Sequence, residues 1–445
     1  MTIKIFNTLT NQKEEFKPLK ENQVKMYVCG VTVYDFCHVG HARAYTVFDT
    51  IRRYLEYRKY KVTYIQNFTD IDDKIINRAN ENKEDALALS KKFIKEYFAD
   101  IDLLNINRAT TYPKVSEHIQ TIIKFIDGLI GKNLAYESKG DVYFAVGSFK
   151  NYGKLSKRTF DEMQAGARVE INEQKKNPMD FVLWKTAKPG EPSWPSPWGE
   201  GRPGWHIECS AMSKELLGDT FDIHGGGRDL IFPHHENEIA QSEGLTGKPM
   251  AKYWVHNGFV TIDKEKMSKS LGNFFTLRDL YKEYDPQVIR FFLSTTHYRS
   301  PLNFSSQAMN DSKTAFEKLQ NTINTLTVTS TGESIQKYTD EFEEAMDDDF
   351  NTAKAIAVLF EINKELNKSK SQELHDLLIK LAGILGFTLK IEAGSLESDI
   401  EALIEKRQTA RKTKDWATSD KIRDDLLAKG IILEDTPEGV RWKKV

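Results

Sequence analysis

The chain has 445 residues, 40% hydrophobic and 29% charged, with 63 Lys and Arg against 65 Asp and Glu for a net charge of −2. That length gives room for two to four domains with ample core. The near-neutral balance excludes a general nucleic-acid coat while leaving room for a local basic surface that reads one RNA. No window reaches the ~18 apolar residues of a membrane span, and the N-terminus lacks the apolar core of a secretory signal. The three cysteines, Cys29, Cys37 and Cys209, are too few and odd in number for a disulfide framework and suit a reducing, cytoplasmic setting. No obligate protein partner is indicated, and a monomer is expected.

The N-terminal 20 residues read as a strand and a polar loop. The apolar run 26–29 predicts a short buried strand stopped by Gly30. His38-Val-Gly-His41 then opens a helical pattern with Val47, Ile51 and Leu55 on one face. Residues 61–68 read as a second, parallel strand, and 69–76 start a helix with acids at its positive end. Strand, helix and strand in that order make one half of a doubly wound α/β fold. From 112 to 175 the texture changes: a helix over 115–130, a strand over 141–146 and a polar run over 158–176 read as an insertion. Residues 178–203 hold six of the thirteen prolines together with Trp184, Trp194 and Trp198. This predicts a loop pinned by its tryptophans.

A second half-sheet follows: a strand over 220–224, a backbone approach point at Gly225-Gly226-Gly227, a helix over 233–243 and a strand over 253–262. Residues 277–304 read as helical supports, and beyond 308 the pattern is nearly all helical to 389. The acidic run 339–351 reads as a solvated face with a helix cap. The last unit, 398–445, predicts two helices and a hairpin. Residues 401–445 carry eleven Lys and Arg against nine Asp and Glu, opposite in sign to the whole chain.

Strand, glycine turn and helix start together form a nucleotide site. Free N–H groups at a helix N-terminus suit phosphate, and Gly40 lets a flat base approach the main chain. His38 and His41 bracket that glycine and are placed to donate to phosphate oxygens. Taken alone, HxGH is equally two ordinary histidines at a helix start. Lys266-Met-Ser-Lys269-Ser puts two ammonium groups on a polar loop, which suits a leaving pyrophosphate; Lys264 reads as solvated. Eight of the ten histidines lie within 38–41 or 206–297. His234 and Glu238, four apart, share a helical face, and with Cys29 and Cys209 they make a reasonable zinc set. Spacing alone leaves buried cysteines and ordinary histidines as the alternative, and His235 also reaches Glu238. Cys37 reads as a small buried hydrophobe.

HVGH followed by KMSKS resembles the class I aminoacyl-tRNA synthetases. The strings Tyr27-Val-Cys-Gly-Val-Thr-Val-Tyr-Asp35, Pro203-Gly-Trp-His-Ile-Glu-Cys-Ser-Ala-Met212, Phe221-Asp-Ile-His-Gly-Gly-Gly through Glu238, and Lys414-Asp-Trp-Ala-Thr-Ser-Asp420 resemble the cysteinyl-tRNA synthetase family from end to end. The resemblance implies zinc on Cys29, Cys209, His234 and Glu238 within an amino-acid pocket. It implies substrate contacts at Trp205, His224 and Asp229, for which a core aromatic, a strand cap and a loop cap are the alternatives. It also implies ATP at Gly40, His38, His41 and Lys269, with His38, His41, Lys266 and Lys269 as catalytic groups and Mg2+ on the phosphates. The partners implied are ATP, L-cysteine and tRNA(Cys), with anticodon contacts at Arg411, Trp416, Asp420 and Asp435; Trp416 taken alone reads as core.

The fold implied is a Rossmann-type doubly wound parallel sheet catalytic domain with an inserted connective domain. An α-helical bundle and a small α+β C-terminal domain follow. The expected boundaries are 1–111, 112–200, 201–275, 276–310, 311–395 and 396–445. Zinc has a physical purpose there. Cysteine and serine differ by one atom, which shape discriminates poorly, whereas a metal that lowers a thiol's pKa favours sulfur through bonding. The rival readings are a ligase joining cysteine to an amino sugar, which would lack a full anticodon-reading tail, and a catalytically silent RNA binder.

Overall fold

The N-terminal residues, expected as a single strand and a loop, fold into a hairpin of β1 (Lys4–Asn7) and β2 (Gln12–Glu15). Ile5 and Phe16 enter the core from it. The computed structural model describes residues 2–159, 174–262, 265–266, 275–332, 334–389, 398–413, 415–428, 431–436 and 439–444. It divides into two units, Met1–Leu389 and Lys390–Val445.

In the first unit, β3 (Gln23–Thr32), α1 (Val39–Tyr57) and β4 (Lys61–Thr69) form the first crossover. β3 and β4 pair in parallel. Helix α1 forms because its apolar residues recur every three to four positions, and Phe48, Ile51, Tyr54 and Leu55 are buried. Each such side chain contributes about 1.5–3 kcal/mol of burial. Helices α2 (Asp73–Asn82) and α3 (Ala86–Leu103) follow, N-capped by Asp72 and Asp85.

The insertion starts with α4 (Ile119–Gly131) and carries an antiparallel sheet of β5 (Ala135–Ser138), β6 (Asp141–Phe144), β7 (Phe181–Thr186) and β8 (Gly201–Pro203). The proline-rich stretch is therefore not only loop. Pro178 precedes β7, four prolines lie between β7 and β8, and Pro203 is on the edge strand β8, so none takes a central ladder position that needs its N–H; Trp184 on β7 is fully buried.

Helix α5 (Trp205–Leu217), β9 (Phe221–Gly227), α6 (Glu236–Thr246) and β10 (Ala251–Asn257) make the second crossover. The parallel sheet has the order β10-β9-β3-β4. The two crossovers diverge from neighbouring strands β3 and β9, so a crevice lies at their carboxyl ends, the usual ligand position of such sheets. Gly225 lets α1 pack this close: a Cβ there would meet the Phe48 ring at 2.3 Å.

The expected strand over 253–262 is interrupted after Asn257. β11 (Val260–Ile262) pairs with β12 (Glu265–Lys266) and, in parallel, with β13 (Leu302–Phe304). The supports expected to be helical therefore end in a strand, after α7 (Leu277–Tyr281) and α8 (Pro286–Ser294). Four helices complete this unit: α9 (Ser306–Thr325), α10 (Gln336–Asp347), α11 (Thr352–Ser369) and α12 (Gln372–Ile384). The acidic run differs from the solvated face expected of it. Asp347 and Asp349 are buried. Tyr54 and Arg58 bond to Asp347, while the Phe6 N–H, Tyr298 and Arg299 bond to Asp349.

The second unit contains α13 (Ser398–Lys412), α14 (Trp416–Ala428) and the antiparallel pair β14 (Ile431–Thr436) and β15 (Gly439–Lys444). Ile422, Leu426 and Leu433 form its small core.

Candidate active site and metal centre

Cys29 lies near the carboxyl end of β3, and Cys209 lies in the first turns of α5. Their sulfurs are 3.8 Å apart. Glu238, in the first turn of α6, brings Oε1 to 3.6 Å from Cys29 Sγ and 3.1 Å from His234 Nε2. Its Oε2 lies 2.8 Å from His224 Nε2. All five residues are buried.

Among the described residues, two groups of four place their ligand atoms within 4.8 Å of one another: Cys29, Cys209, His234 and Glu238, and Cys29, His224, His235 and Glu238. They share the strand cysteine and the helix glutamate. The ambiguity between His234 and His235 is thus physical. His235 Nε2 is 3.3 Å from Cys29 Sγ but 3.9 Å from Glu238 Oε1.

The ring nitrogens turned away from the cluster have their own partners. His234 Nδ1 is 2.9 Å from His206 Nδ1, and His235 Nδ1 is 2.8 Å from His256 Nε2. His256 Nδ1 in turn meets Thr8 Oγ1 at 2.8 Å. Such partners fix ring orientation in metal sites. Burial holds His206 and His256 down to about 3 and His234 and His235 well below the ordinary histidine value, so these imidazoles are neutral at pH 7. Burial also pushes the Cys29 thiol up, aided by Cys209 and Glu238. At Cys209 the hydrogen bond with Cys29 pulls down, but burial and the carboxylates of Glu238 and Glu208 push it up overall. Neutral imidazoles and thiols crowded around one carboxylate are a set that a cation stabilises by taking the thiol protons' place. The cluster can therefore hold a metal ion.

Trp205 is 41% exposed, with its ring centroid 4.3 Å from that of His234. It lies at the surface of the cluster rather than in a core. A cavity of about 360 Å³ opens there beside His206 and Glu208, with Arg202, Lys185 and Asp73 on its wall. Asp229 is exposed in the short turn Arg228–Leu230 after β9. His224, fully buried on β9, points Nε2 at Glu238.

His38 caps α1. Its side chain accepts from the His41 N–H at 3.3 Å, and His41 Nδ1 accepts from the His38 N–H at 3.4 Å. The rings stack with centroids 3.6 Å apart. With Nδ1 accepting in both, the neutral rings carry their protons on Nε2, the form that donates. Gly40, in the same turn, is half-buried. The side of the lysine motif toward the C-terminus returns to this cap. His38 pairs with Thr276, and the Leu277 N–H donates to the Cys37 carbonyl at 2.8 Å. Cys37 is buried and belongs to neither metal group. Lys264 and Lys269 lie outside the described residues, as does the side chain of Lys266, which ends β12.

In the second unit, Trp416 is 57% exposed at the start of α14, Asp420 is exposed one turn later, and Arg411 is half-buried on α13. The exposure of Trp416 rejects the core reading. The side chain of Asp435 lies outside the described residues.

Sequence reasoning missed the residues that surround the cluster: His206 and His256, which meet His234 and His235, and with them Asn67, Thr69 and Glu208. His206 had a signal, since it precedes Cys209 by three residues and so shares its helical face. Glu208 is the neighbour of Cys209 on α5, but Asn67 and Thr69 on β4 and His256 on β10 meet the cluster only in the fold and had no such signal.

Solved structures share the fold. The Mycobacterium tuberculosis methionyl-tRNA synthetase in complex with methionyl-adenylate superposes with a TM-score of 0.57 at 14% identity, covering 82% of this chain and 89% of that one. The Agrobacterium radiobacter LeuRS in a ternary complex with tRNA gives 0.61 at 10% identity, covering 83% and 85%. Sequence families are more specific. Residues 15–314 match the tRNA synthetases class I (C) catalytic domain, 341–390 the DALR domain, and 393–442 the cysteinyl-tRNA ligase anticodon binding domain. The last match speaks against the amino-sugar ligase, which would lack that tail. With a class I catalytic domain over two thirds of its length and a cysteine-specific anticodon domain behind it, the chain belongs to the cysteinyl-tRNA synthetase family and is a cysteine–tRNA ligase, with ATP, an amino acid and tRNA as its substrates.

Proposed function

We propose that the ligase selects cysteine through a zinc ion held by Cys29, Cys209, His234 and Glu238. One observation carries this. Ligands on a tetrahedral zinc at ordinary bond lengths stand about 3.8 Å apart for two sulfurs and about 3.6 Å for a sulfur and a carboxylate oxygen. The Cys29 and Cys209 sulfurs are 3.8 Å apart, and Cys29 Sγ is 3.6 Å from Glu238 Oε1. Two thiolates also favour zinc over harder cations. When bound, zinc supplies a Lewis acid that takes a thiolate in preference to a hydroxyl, so selection rests on bonding rather than on size.

The remaining work falls to the chain's own groups. A carboxylate is already a nucleophile, so adenylate formation needs alignment and charge stabilisation rather than a base. His38 and His41, with donors at Nε2 beside the start of α1, bind and orient the phosphates, with Gly40 giving the base room. Lys266 and Lys269 take the charge of the departing pyrophosphate, and Mg2+ accompanies ATP. Trp205 covers the pocket, while Asp229 and His224 orient the amino acid. In the tail, Arg411, Trp416, Asp420 and Asp435 read the anticodon of tRNA(Cys). The protein acts as a monomer in the cytoplasm; no helix among the described residues is long and apolar enough to cross a membrane.

Metal analysis with cysteine- and serine-dependent ATP–pyrophosphate exchange tests the zinc assignment. Cys209→Ala and His234→Ala should each release the metal and raise the cysteine KM sharply. Retained zinc with normal kinetics would remove these residues from the pocket.

A further inference from the structure

Two cysteines 180 positions apart, one on a strand and one on a helix, stand at ligand distance, and a third element must hold them there. The β3–β4 ladder shows which. Its register runs Val28↔Gln66 and then Val31↔Phe68, so Cys29 and Gly30 together face the single residue Asn67. This is a β-bulge, the device that re-aims a side chain beside a site, and its extra residue lacks a regular ladder partner.

Asn67 supplies the missing bond from its side chain. The residue is 1% exposed, and its Oδ1 accepts from the Gly30 N–H, the peptide group directly after Cys29, at 2.9 Å. The same oxygen lies 3.7 Å from Cys209 Sγ. Asn67 Nδ2 reaches Thr69 Oγ1 at 3.5 Å. The Thr69 hydroxyl donates to Glu208, the residue before Cys209, at 2.7 Å. One buried amide thus addresses both cysteine-bearing segments.

We infer that Asn67 is the positioning residue of the thiol pair: its amide pins the bulge after Cys29 and so aims that sulfur at Cys209. Asn67 touches neither substrate nor ion, and it acts through the two residues that do. The inference rests on the zinc reading above, and it makes the selectivity for sulfur depend on a neutral side chain of β4.

The test uses the full-length protein and zinc alone, with affinity measured by competition against a chromophoric chelator. The thiolate-to-metal absorption of the cobalt-substituted protein serves as a second readout. Asn67→Ala removes the acceptor and should weaken zinc binding 10–100-fold, the usual consequence of losing a group that orients a ligand, and should reduce the thiolate band. Asn67→Leu keeps the side chain's size but offers the Gly30 N–H no acceptor, and should lose affinity as Asn67→Ala does. Should Asn67→Ala fail to fold, Asn67→Ser, polar but too short to reach Gly30, takes its place. Wild-type affinity in the Ala or Ser variant overturns the inference. So does wild-type affinity in the Leu variant, which would mark a packing role. Wild-type protein that binds no zinc overturns the zinc reading itself, a result separable from either.

Discussion

A Cβ built on Gly30 falls 1.6 Å from the main-chain carbonyl oxygen of Asn67. No side chain fits there, and the obstacle is backbone rather than the end of a flexible group. Gly30→Ala must therefore push β3 and β4 apart beside Cys29. The expected cost is about 3 kcal/mol or more in urea unfolding, within the range of severe backbone and packing lesions. Zinc content should fall with it. A variant as stable as wild type with its metal intact would show that the strands separate freely at this point.

His256 gives the protein an acid-sensitive element. It is 5% exposed between Thr8 Oγ1 and His235 Nδ1. Its pKa falls from 6.5 to about 3, first through burial and then through His224 and Arg228. A group whose folded value is depressed stabilises the fold fully above its unfolded pKa, and that contribution is lost as pH falls toward the folded one. Between about pH 6.5 and 3 the unfolded chain carries the extra proton, so stability declines by up to about 1.4 kcal/mol per pH unit from this residue. Urea unfolding with chelator present, repeated at about pH 7 and 5, measures the slope. His256→Gln should lower it by close to one proton, and an unchanged slope would place the acid response elsewhere.

Arg290 on α8 ties the first crossover to the helical bundle. Its guanidinium is fully buried and pairs with Asp49 of α1. It also donates to the carbonyls of Leu104 (2.8 Å), Asn105 (2.9 Å) and Leu385 (3.0 Å). Asp49 is further held by Arg53 and the Asn107 N–H. Removing one partner of such a cluster strands the others, at about 3–5 kcal/mol. Arg290→Met should approach the lower end, since Arg53 stays on Asp49. A loss under about 1 kcal/mol would mean that the surrounding carbonyls find other donors.

The fold's outline was legible wherever one segment carries its own signal. The strand around 26–29 and the helix from His38 follow from periodicity, although β3 starts earlier, at Gln23, and runs on through Gly30 to Thr32 instead of stopping there; His234 with Glu238 follows from helical spacing. Cys29 and Cys209 stood out through the strings around them. What escaped depends on partners distant in sequence. Asp347 and Asp349 look like surface acids until Arg58, Tyr298 and Arg299 arrive from elsewhere. The strand β13 exists only because β11 is there to pair with it. Asn67 matters only because the bulge in β3 faces it.

Among the described residues, Trp416 is the largest exposed apolar side chain in the second unit, at 57%, and the unit's small core of Ile422, Leu426 and Leu433 does not include it. Its replacement by Ala should therefore cost less than about 0.5 kcal/mol of stability. If the indole stacks on an anticodon base, its loss removes about 1–3 kcal/mol of RNA binding, or roughly 5–150-fold in kcat/KM for tRNA charging. Cysteine-dependent ATP–pyrophosphate exchange involves no anticodon and should stay at the wild-type rate. The two assays on the same preparation separate the roles: equal damage to both would contradict a tail whose work is confined to the RNA, and full charging activity would remove Trp416 from the anticodon contacts.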